Sequence, residues 1–223
     1  MPTVLVTGAN RGLGLEFARQ YAADGWSVIA TARDPAQADA LRAIEGVRIE
    51  PLDMADRAAV AAFGGRIGDA ALDLFIANAG VMGGRGAMDL DYAEEWLQTL
   101  AVNAVAPVLL AHALKDRIAR GGKAVAITSK MGSIADNGSG GAYSYRSSKA
   151  ALNAAWRSLA LDWKGDGIAA AVLHPGWVRT RMGGPNGLID PEESVAGMRR
   201  VIAGLTPGET GGFFNYDGTR IGW

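Results

Sequence analysis

The 223-residue sequence contains no cysteine and two histidines, His112 and His174. Disulfides, thiolate metal sites and a cysteine nucleophile are thereby excluded, and zinc or Ser/His hydrolase chemistry has few ligands or bases to draw on. An excess of one charge is also missing. Lys and Arg number 22 against 23 Asp and Glu, a net charge of −1, so no electrostatic footprint for nucleic acid or an anionic membrane is visible. No stretch approaches the ~20 continuous apolar residues that span a bilayer, and the first residues carry no basic run, so the expectation is a cytoplasmic protein. No linker rich in Pro, Ser or charge divides the chain, which reads as one domain over residues 1–223.

Hydrophobic residues make up 49% and charged residues 20%, a balance that folds rather than stays disordered. Glycine, at 31 residues, is roughly twice as frequent as usual, which points to tight turns or to backbone brought close to a ligand. β-Branched runs at 3–7, 27–32, 47–51, 72–77, 123–128, 169–173 and 212–214 predict strands. Alanine-rich stretches at 13–23, 36–43, 55–67, 92–115 (with a break), 142–164 and 191–203 predict helices. Repeated βα units imply the α/β class: a doubly wound parallel sheet of about seven strands with helices on both faces. Glycine-rich stretches at 83–86, 136–141 and 183–187 follow the fourth, fifth and sixth strands, at the end where such sheets bind ligands.

Thr7-Gly8-Ala9-Asn10-Arg11-Gly12-Leu13-Gly14 joins the first strand to the first helix. Its amides and the helix dipole suit a pyrophosphate, with Gly8 allowing the turn and Gly12 and Gly14 a close approach. A tight βα turn alone would use the same glycines. After the second strand, where an acidic residue would meet a ribose hydroxyl, the chain reads Ala32-Arg33-Asp34. Arg33 and Arg11 suit a 2′-phosphate, so NADP(H) is expected over NAD(H), although Arg33 could also be a solvated charge. Asp53 and Met54, after the third strand, are placed to meet an adenine; Asp53 could equally cap the next helix.

Tyr145 and Lys149 are four apart in a helical stretch and share a face, so the ammonium can bring the phenol's proton exchange closer to neutral pH. Pro107 lacks an N–H, so the Asn103 carbonyl loses its helical donor and the helix should kink there. Gly8, Gly12 and Gly14, the Asn78-Ala79-Gly80 triplet, Asn103, Ser129, Tyr145 with Lys149, and Pro175-Gly176 with Thr180 occur in the order of one family. Through them nearly the whole chain resembles the short-chain dehydrogenase/reductases, which have a single Rossmann domain. Thr128-Ser129-Lys130-Met131-Gly132-Ser133-Ile134, 145–153 and 213–218 further resemble the C-factor and sniffer-type carbonyl reductases.

The resemblance makes Tyr145 the general acid toward a carbonyl oxygen, with Lys149 lowering its pKa and holding the nicotinamide ribose. Ser129 donates a hydrogen bond to the substrate oxygen, and the Asn103 carbonyl holds a relay water. The resemblance assigns Pro175, Gly176, Val178 and Thr180 to the nicotinamide carboxamide. Tyr143 lacks an ammonium on its face and is a candidate pocket wall. Ser133, Ser147 and Ser148 default to surface or turn hydrogen bonding, and His174 and His112 read as structural. Val81, Met82, Met131, Tyr143, Trp177 and Met182 suggest an apolar pocket for a ketone, aldehyde or quinone, although Met and Trp also serve in cores. Residues 181–190 form the expected substrate loop, with 181–188 as a lid.

No metal is expected. Helices at 107–119 and 142–164 could pack a homodimer or homotetramer, as the family often does. The rival reading is a cofactor-binding sensor or signalling protein of C-factor type with little turnover. An extended-branch epimerase or dehydratase is disfavoured by the glycine spacing.

Overall fold

The computed structural model describes residues 1–84 and 88–223, so the last two positions of the 83–86 stretch lie outside the described residues. Seven strands form one sheet: β1 (Thr3–Val6), β2 (Ser27–Ala32), β3 (Val47–Pro51), β4 (Leu72–Ala77), β5 (Ile118–Ile127), β6 (Ala169–His174) and β7 (Gly212–Asn215). Their order is β3-β2-β1-β4-β5-β6-β7 and all six pairings are parallel, the expected doubly wound Rossmann arrangement. The order reverses between β1 and β4, and the crevice beyond their carboxyl ends is where such sheets take a ligand.

Side-chain alternation divides the core in two. Leu5, Ile29, Phe75, Ala126 and Val172 face one layer, containing α3 (Arg57–Ala61), α4 (Phe63–Arg66), α6 (Ala106–Leu114) and α7 (Tyr143–Asp162). Val4, Val6, Val28, Ile76, Val125 and Leu173 face the other, containing α1 (Gly12–Ala23), α2 (Asp39–Arg42) and α8 (Pro191–Gly204). Alanines at 124, 126, 170 and 171 keep the centre of the sheet thin, which lets α7 seat the fully buried Trp156 against β5, its indole N–H reaching the Ala124 carbonyl at 3.4 Å.

Several expected boundaries shift. The predicted helix at 55–67 is two short helices that meet at Ala62, and within the second Gly64 sits where a Cβ would collide with the Ala113 carbonyl of α6. The predicted helix at 36–43 is a 3-10 turn, Pro35–Gln37, followed by α2. Strand β5 begins before the expected 123, running through Gly121 (φ +85°) with an irregular register opposite Leu72.

The break expected within 92–115 takes a specific form: α5 (Leu90–Leu100) runs into a π-helical turn, Ala101–Val105, and then α6. The turn's wide bond runs from the Ala106 N–H to the Ala101 carbonyl. A kink was expected from Pro107; an inserted residue is what forms. Joined this way, the 28 residues Leu90–Arg117 include a window of mean hydropathy 1.6, long and apolar enough to cross a membrane by length and composition. That corrects the expectation that no stretch approaches this length. Continuity through the π turn produces it, and Ala106, Leu110, Ala111 and Leu114 are spent in the core.

Candidate active site

The glycine loop is fastened on both sides. Thr7 Oγ1 accepts hydrogen bonds from the Asn78 and Ala79 amides, both at 3.0 Å, and Asn78 Nδ2 donates to the Thr7 carbonyl at 2.9 Å. Across the loop, the Gly8 amide reaches Thr31 Oγ1 at 3.2 Å and the Ala9 amide the Thr31 carbonyl at 2.8 Å. A Cβ on Gly14 would lie within 3.0 Å of the Gly8 carbonyl, Asn78 and Ala9, so the helix start can approach the loop only as glycine. The N-cap of α1 is Arg11, with no side-chain cap and no acidic residue in the first turn. The first-turn amides therefore face outward without a protein anion, as a diphosphate site requires.

Arg11 and Arg33 are exposed, and neither joins an ion pair among the described residues. Asp34 does not neutralise Arg33: its carboxylate accepts from the Ala36 amide (2.9 Å) and from Gln37 Nε2 (2.7 Å). The Arg11 guanidinium is held below its ordinary pKa by partial burial, then by Arg181 and then by Arg33. Arg181, expected as the first residue of the substrate loop and lid, acts as a further cation beside the glycine loop. Asp53 accepts from the Ala55 amide at 2.9 Å in a turn, while Asp56 caps α3, so Asp53 is not the helix cap. Met54 is buried in the core beneath that turn.

Ser129, Tyr145, Lys149 and Asn103 are all buried and lie around the carboxyl end of β5. Gly132 brings them together: a Cβ there would lie within 3.0 Å of Lys149, so the turn after Ser129 presses directly on α7. Asn153, one turn beyond Lys149, ties the same corner by accepting from Thr128 Oγ1 at 2.6 Å and donating to the Gly132 carbonyl at 3.3 Å. Ser129 Oγ accepts from the Met131 amide at 3.1 Å, which leaves its own proton to donate.

Lys149 Nζ donates to the Ile127 carbonyl at 2.9 Å and lies 5.9 Å from the centre of the Tyr145 ring. Burial lowers the Lys149 pKa to about 8. Burial raises the Tyr145 pKa, and the neighbouring Ser129 hydroxyl works against that rise. The expected lowering of Tyr145 by Lys149 is thus not what these surroundings give: desolvation of the phenol dominates.

The Asn103 side chain is fully used. Its Oδ1 accepts from the Val81 amide at 2.8 Å, and its Nδ2 donates to the Val81 carbonyl at 2.8 Å and to Ser148 Oγ at 3.0 Å. It thereby clamps the Asn78-Ala79-Gly80 turn to the π segment. Ser148, expected on a helix surface, is buried and links Asn103 to the Tyr145 carbonyl at 2.8 Å. Ser147 accepts from Trp96 Nε1 at 2.6 Å, and Ser133 donates to the Gly222 carbonyl at 2.7 Å.

The Pro175 carbonyl accepts from Ser194 Oγ of α8 at 2.6 Å, and Gly176 takes φ +83° beside Ile189 and Tyr216. Val178 is buried, bridged to Ile189, and Thr180 lies over Gly12. His174 is pushed down to about 4, by burial first and Lys130 second, and is uncharged at neutral pH. Val81, Tyr143, Trp177 and Met182 are exposed, while Met82 and Met131 are half-buried. Tyr143 packs against Trp96 with the rings tilted by 38° and their centres 6.2 Å apart, and Trp177 donates to the Gly183 carbonyl at 2.7 Å. A cavity of about 480 Å³ lies beyond β6 and β7, lined by His174, Trp177, Leu188, Asn215 and Arg220 among others. Neither Ser129 nor Tyr145 lines it, although Lys130, next to Ser129, does.

A short chain dehydrogenase family model matches residues 2–187. The C-signal of Myxococcus xanthus is 45% identical over 155 residues, 68% of this chain and 93% of that protein. The carbonyl reductase Sniffer of D. melanogaster superposes with a TM-score of 0.91 at 31% identity, covering 100% of both chains. An NADPH-bound carbonyl reductase from chicken fatty liver gives 0.91 at 33% identity, covering 100% of this chain and 99% of that one. A dinucleotide cradle, a buried Ser-Tyr-Lys corner and these likenesses agree: the chain belongs to the short-chain dehydrogenase family and is an NAD(P)-dependent oxidoreductase acting on a small molecule.

Proposed function

We propose that the protein reduces an apolar ketone, aldehyde or quinone to the alcohol, using NADPH in preference to NADH. The observation that carries this reading is Tyr145, a buried and protonated phenol beside a serine with a free proton and a lysine poised near neutrality. The bound dinucleotide supplies hydride to the carbonyl carbon. Ser129 donates a hydrogen bond to the carbonyl oxygen and stabilises the charge that develops there. Tyr145 passes its proton to that oxygen, and the Lys149 ammonium favours the phenolate left behind. With its side chain committed to Val81 and Ser148, Asn103 positions the turn, and its main-chain carbonyl, opposite Pro107, is the water-holding group.

The cradle formed by residues 8–14 holds the diphosphate, with Leu13 contributing an amide and Asn10 its rim. Asn78, Ala79 and Gly80 line the adjoining wall, Pro175, Gly176, Val178 and Thr180 meet the carboxamide, and Asp53 and Met54 border the adenine. Arg11 and Arg33, free of carboxylates among the described residues, favour a 2′-phosphate. Met82, Met131, Tyr143, Trp177 and Met182 form the apolar mouth, closed by the substrate loop at 181–190. The whole chain acts as one cofactor-binding domain in the cytoplasm. The helices at 107–119 and 142–164 offer a pairing surface for a homodimer or homotetramer: His112 on α6 and Leu161 on α7 are exposed, and Leu97 is exposed on α5, which packs on α7.

The test is oxidation of NADPH and NADH across aliphatic, aromatic and quinone carbonyls, with Tyr145→Phe as control. Turnover that prefers NADPH and falls by roughly 10²–10⁴ in the variant supports the reading. The likeness to the C-signal favours one other outcome, tight cofactor binding with no turnover on the panel, which would make the protein a sensor.

A further inference from the structure

We propose that Arg181 is a diphosphate-binding residue: its guanidinium closes over the glycine loop from the β6–α8 side and neutralises the diphosphate of the bound dinucleotide. This contact differs from the one proposed for Arg33, which concerns the ribose phosphate. It rests on dinucleotide binding and not on a preference for NADPH.

Arg181 directly follows Thr180. Among the described residues, Thr180, through its methyl at 3.7 Å and its Cβ at 3.9 Å, is the neighbour from outside this turn and helix that comes within 4 Å of where a Cβ on Gly12 would be. The residue preceding Arg181 therefore roofs the glycine turn on one side and leaves the rest of its surface open. The base of this loop is fixed. The Arg179 amide reaches the Ile189 carbonyl at 2.9 Å, and its guanidinium grips both carboxylate oxygens of Asp190 at 2.6 and 2.7 Å. The Gly184 amide bonds the Thr180 carbonyl at 2.8 Å and the Gly183 amide bonds Thr180 Oγ1 at 3.1 Å, which closes the turn that carries Arg181.

The two arginines on this loop are treated differently. Arg179 has its carboxylate; Arg181 has no ion pair and no hydrogen bond among the described residues. Its charge is nonetheless felt at Arg11, more strongly than that of Arg33. Three guanidiniums therefore act together at the uncapped start of α1, and Asp34, the acid next to Arg33 in the chain, is occupied by Ala36 and Gln37. Like charges held together without a counter-charge repel, and an anion in their midst converts that cost into binding. Arg33 follows β2 and Arg181 follows β6, strands on opposite sides of β1 in the sheet, so the two reach different parts of one polyanion. The part under the Thr180 roof, against the helix amides, is the diphosphate.

The experiment measures dissociation constants of NADPH and NADH, by titration of nicotinamide fluorescence, for the parent, Arg181→Ala, Arg181→Lys and Arg33→Ala. Arg181→Ala should weaken both cofactors by the same factor, roughly tenfold for one lost charge-assisted phosphate contact, with part of the loss recovered by Lys. Arg33→Ala should weaken NADPH alone. Cofactor-free melting should be unchanged in Arg181→Ala, since the side chain is exposed. Parent-like binding of both cofactors by Arg181→Ala, or a loss confined to NADPH, overturns the proposal. If instead the parent holds NADH as tightly as NADPH and Arg33→Ala changes neither, the cofactor preference fails while an equal loss in Arg181→Ala still upholds the diphosphate contact.

Discussion

Lys149 carries an ammonium into the core with one hydrogen-bond acceptor, the Ile127 carbonyl at 2.9 Å, and with 4% of its surface exposed. Below about pH 8 the ammonium is present in the folded and the unfolded chain alike, and burying it costs the folded state. Between pH 8 and 10.5 the folded chain sheds the proton while the unfolded chain keeps it, so stability rises with pH across that window. A pKa lowered from 10.5 to about 8 corresponds to roughly 3 kcal/mol of penalty at neutral pH. Lys149→Met keeps the length of the side chain and removes the charge, at the cost of about 1 kcal/mol for the orphaned carbonyl. The variant should therefore be about 2 kcal/mol more stable than the parent at pH 7, a rise in Tm of roughly 4–8 °C for a chain of this size. The gain should fade above pH 8, vanish at about pH 9.5 and reverse to a deficit of about 1 kcal/mol by about 10.5, the orphaned carbonyl being what remains, and turnover should be lost throughout. Thermal melts of both proteins from pH 6 to 10.5, paired with turnover at pH 7, test this. A variant less stable than the parent at pH 7, or a difference that ignores pH, refutes the reasoning.

Two other substitutions probe the scaffold. Asn103→Ala removes three hydrogen bonds from a fully buried position and should cost about 2–4 kcal/mol, together with weaker cofactor binding as the Asn78-Gly80 turn loosens; an unchanged melting temperature would contradict the clamp. Gly14→Ala forces the loop away from Gly8 and Asn78, with an expected cost of about 1–3 kcal/mol and a cofactor affinity at least tenfold lower, read by calorimetric titration.

The doubly wound order and the Tyr145–Lys149 face were legible because both are written as periodicities, βα alternation and an i, i+4 spacing. Local pattern could not show features made by chain segments that meet only in space. Gly64 looks like a replaceable helical residue until α6 lies across it, and Gly121 looks like a turn until β5 runs through it. Thr7, Thr31 and Asn153 hold the site through partners elsewhere in the chain, and nothing in their neighbours marks them. Arg181 belongs to the same class: its meeting with Arg11 exists only once the sheet has brought β1 and β6 into one layer. The Asn103 kink was half legible, since Pro107 announces a fault in the helix but not that an extra residue resolves it.

That extra residue sets the phase of everything after it. One inserted position turns the following helix by about 100° relative to an uninterrupted α-helix. The face that α5 gives to α7 and the face that α6 gives to the sheet are therefore not one continuous stripe. Deleting a single residue from 101–105 would restore an ordinary helix and rotate Leu110 and Leu114 out of the core, so this segment should tolerate many changes of side chain but no change of length.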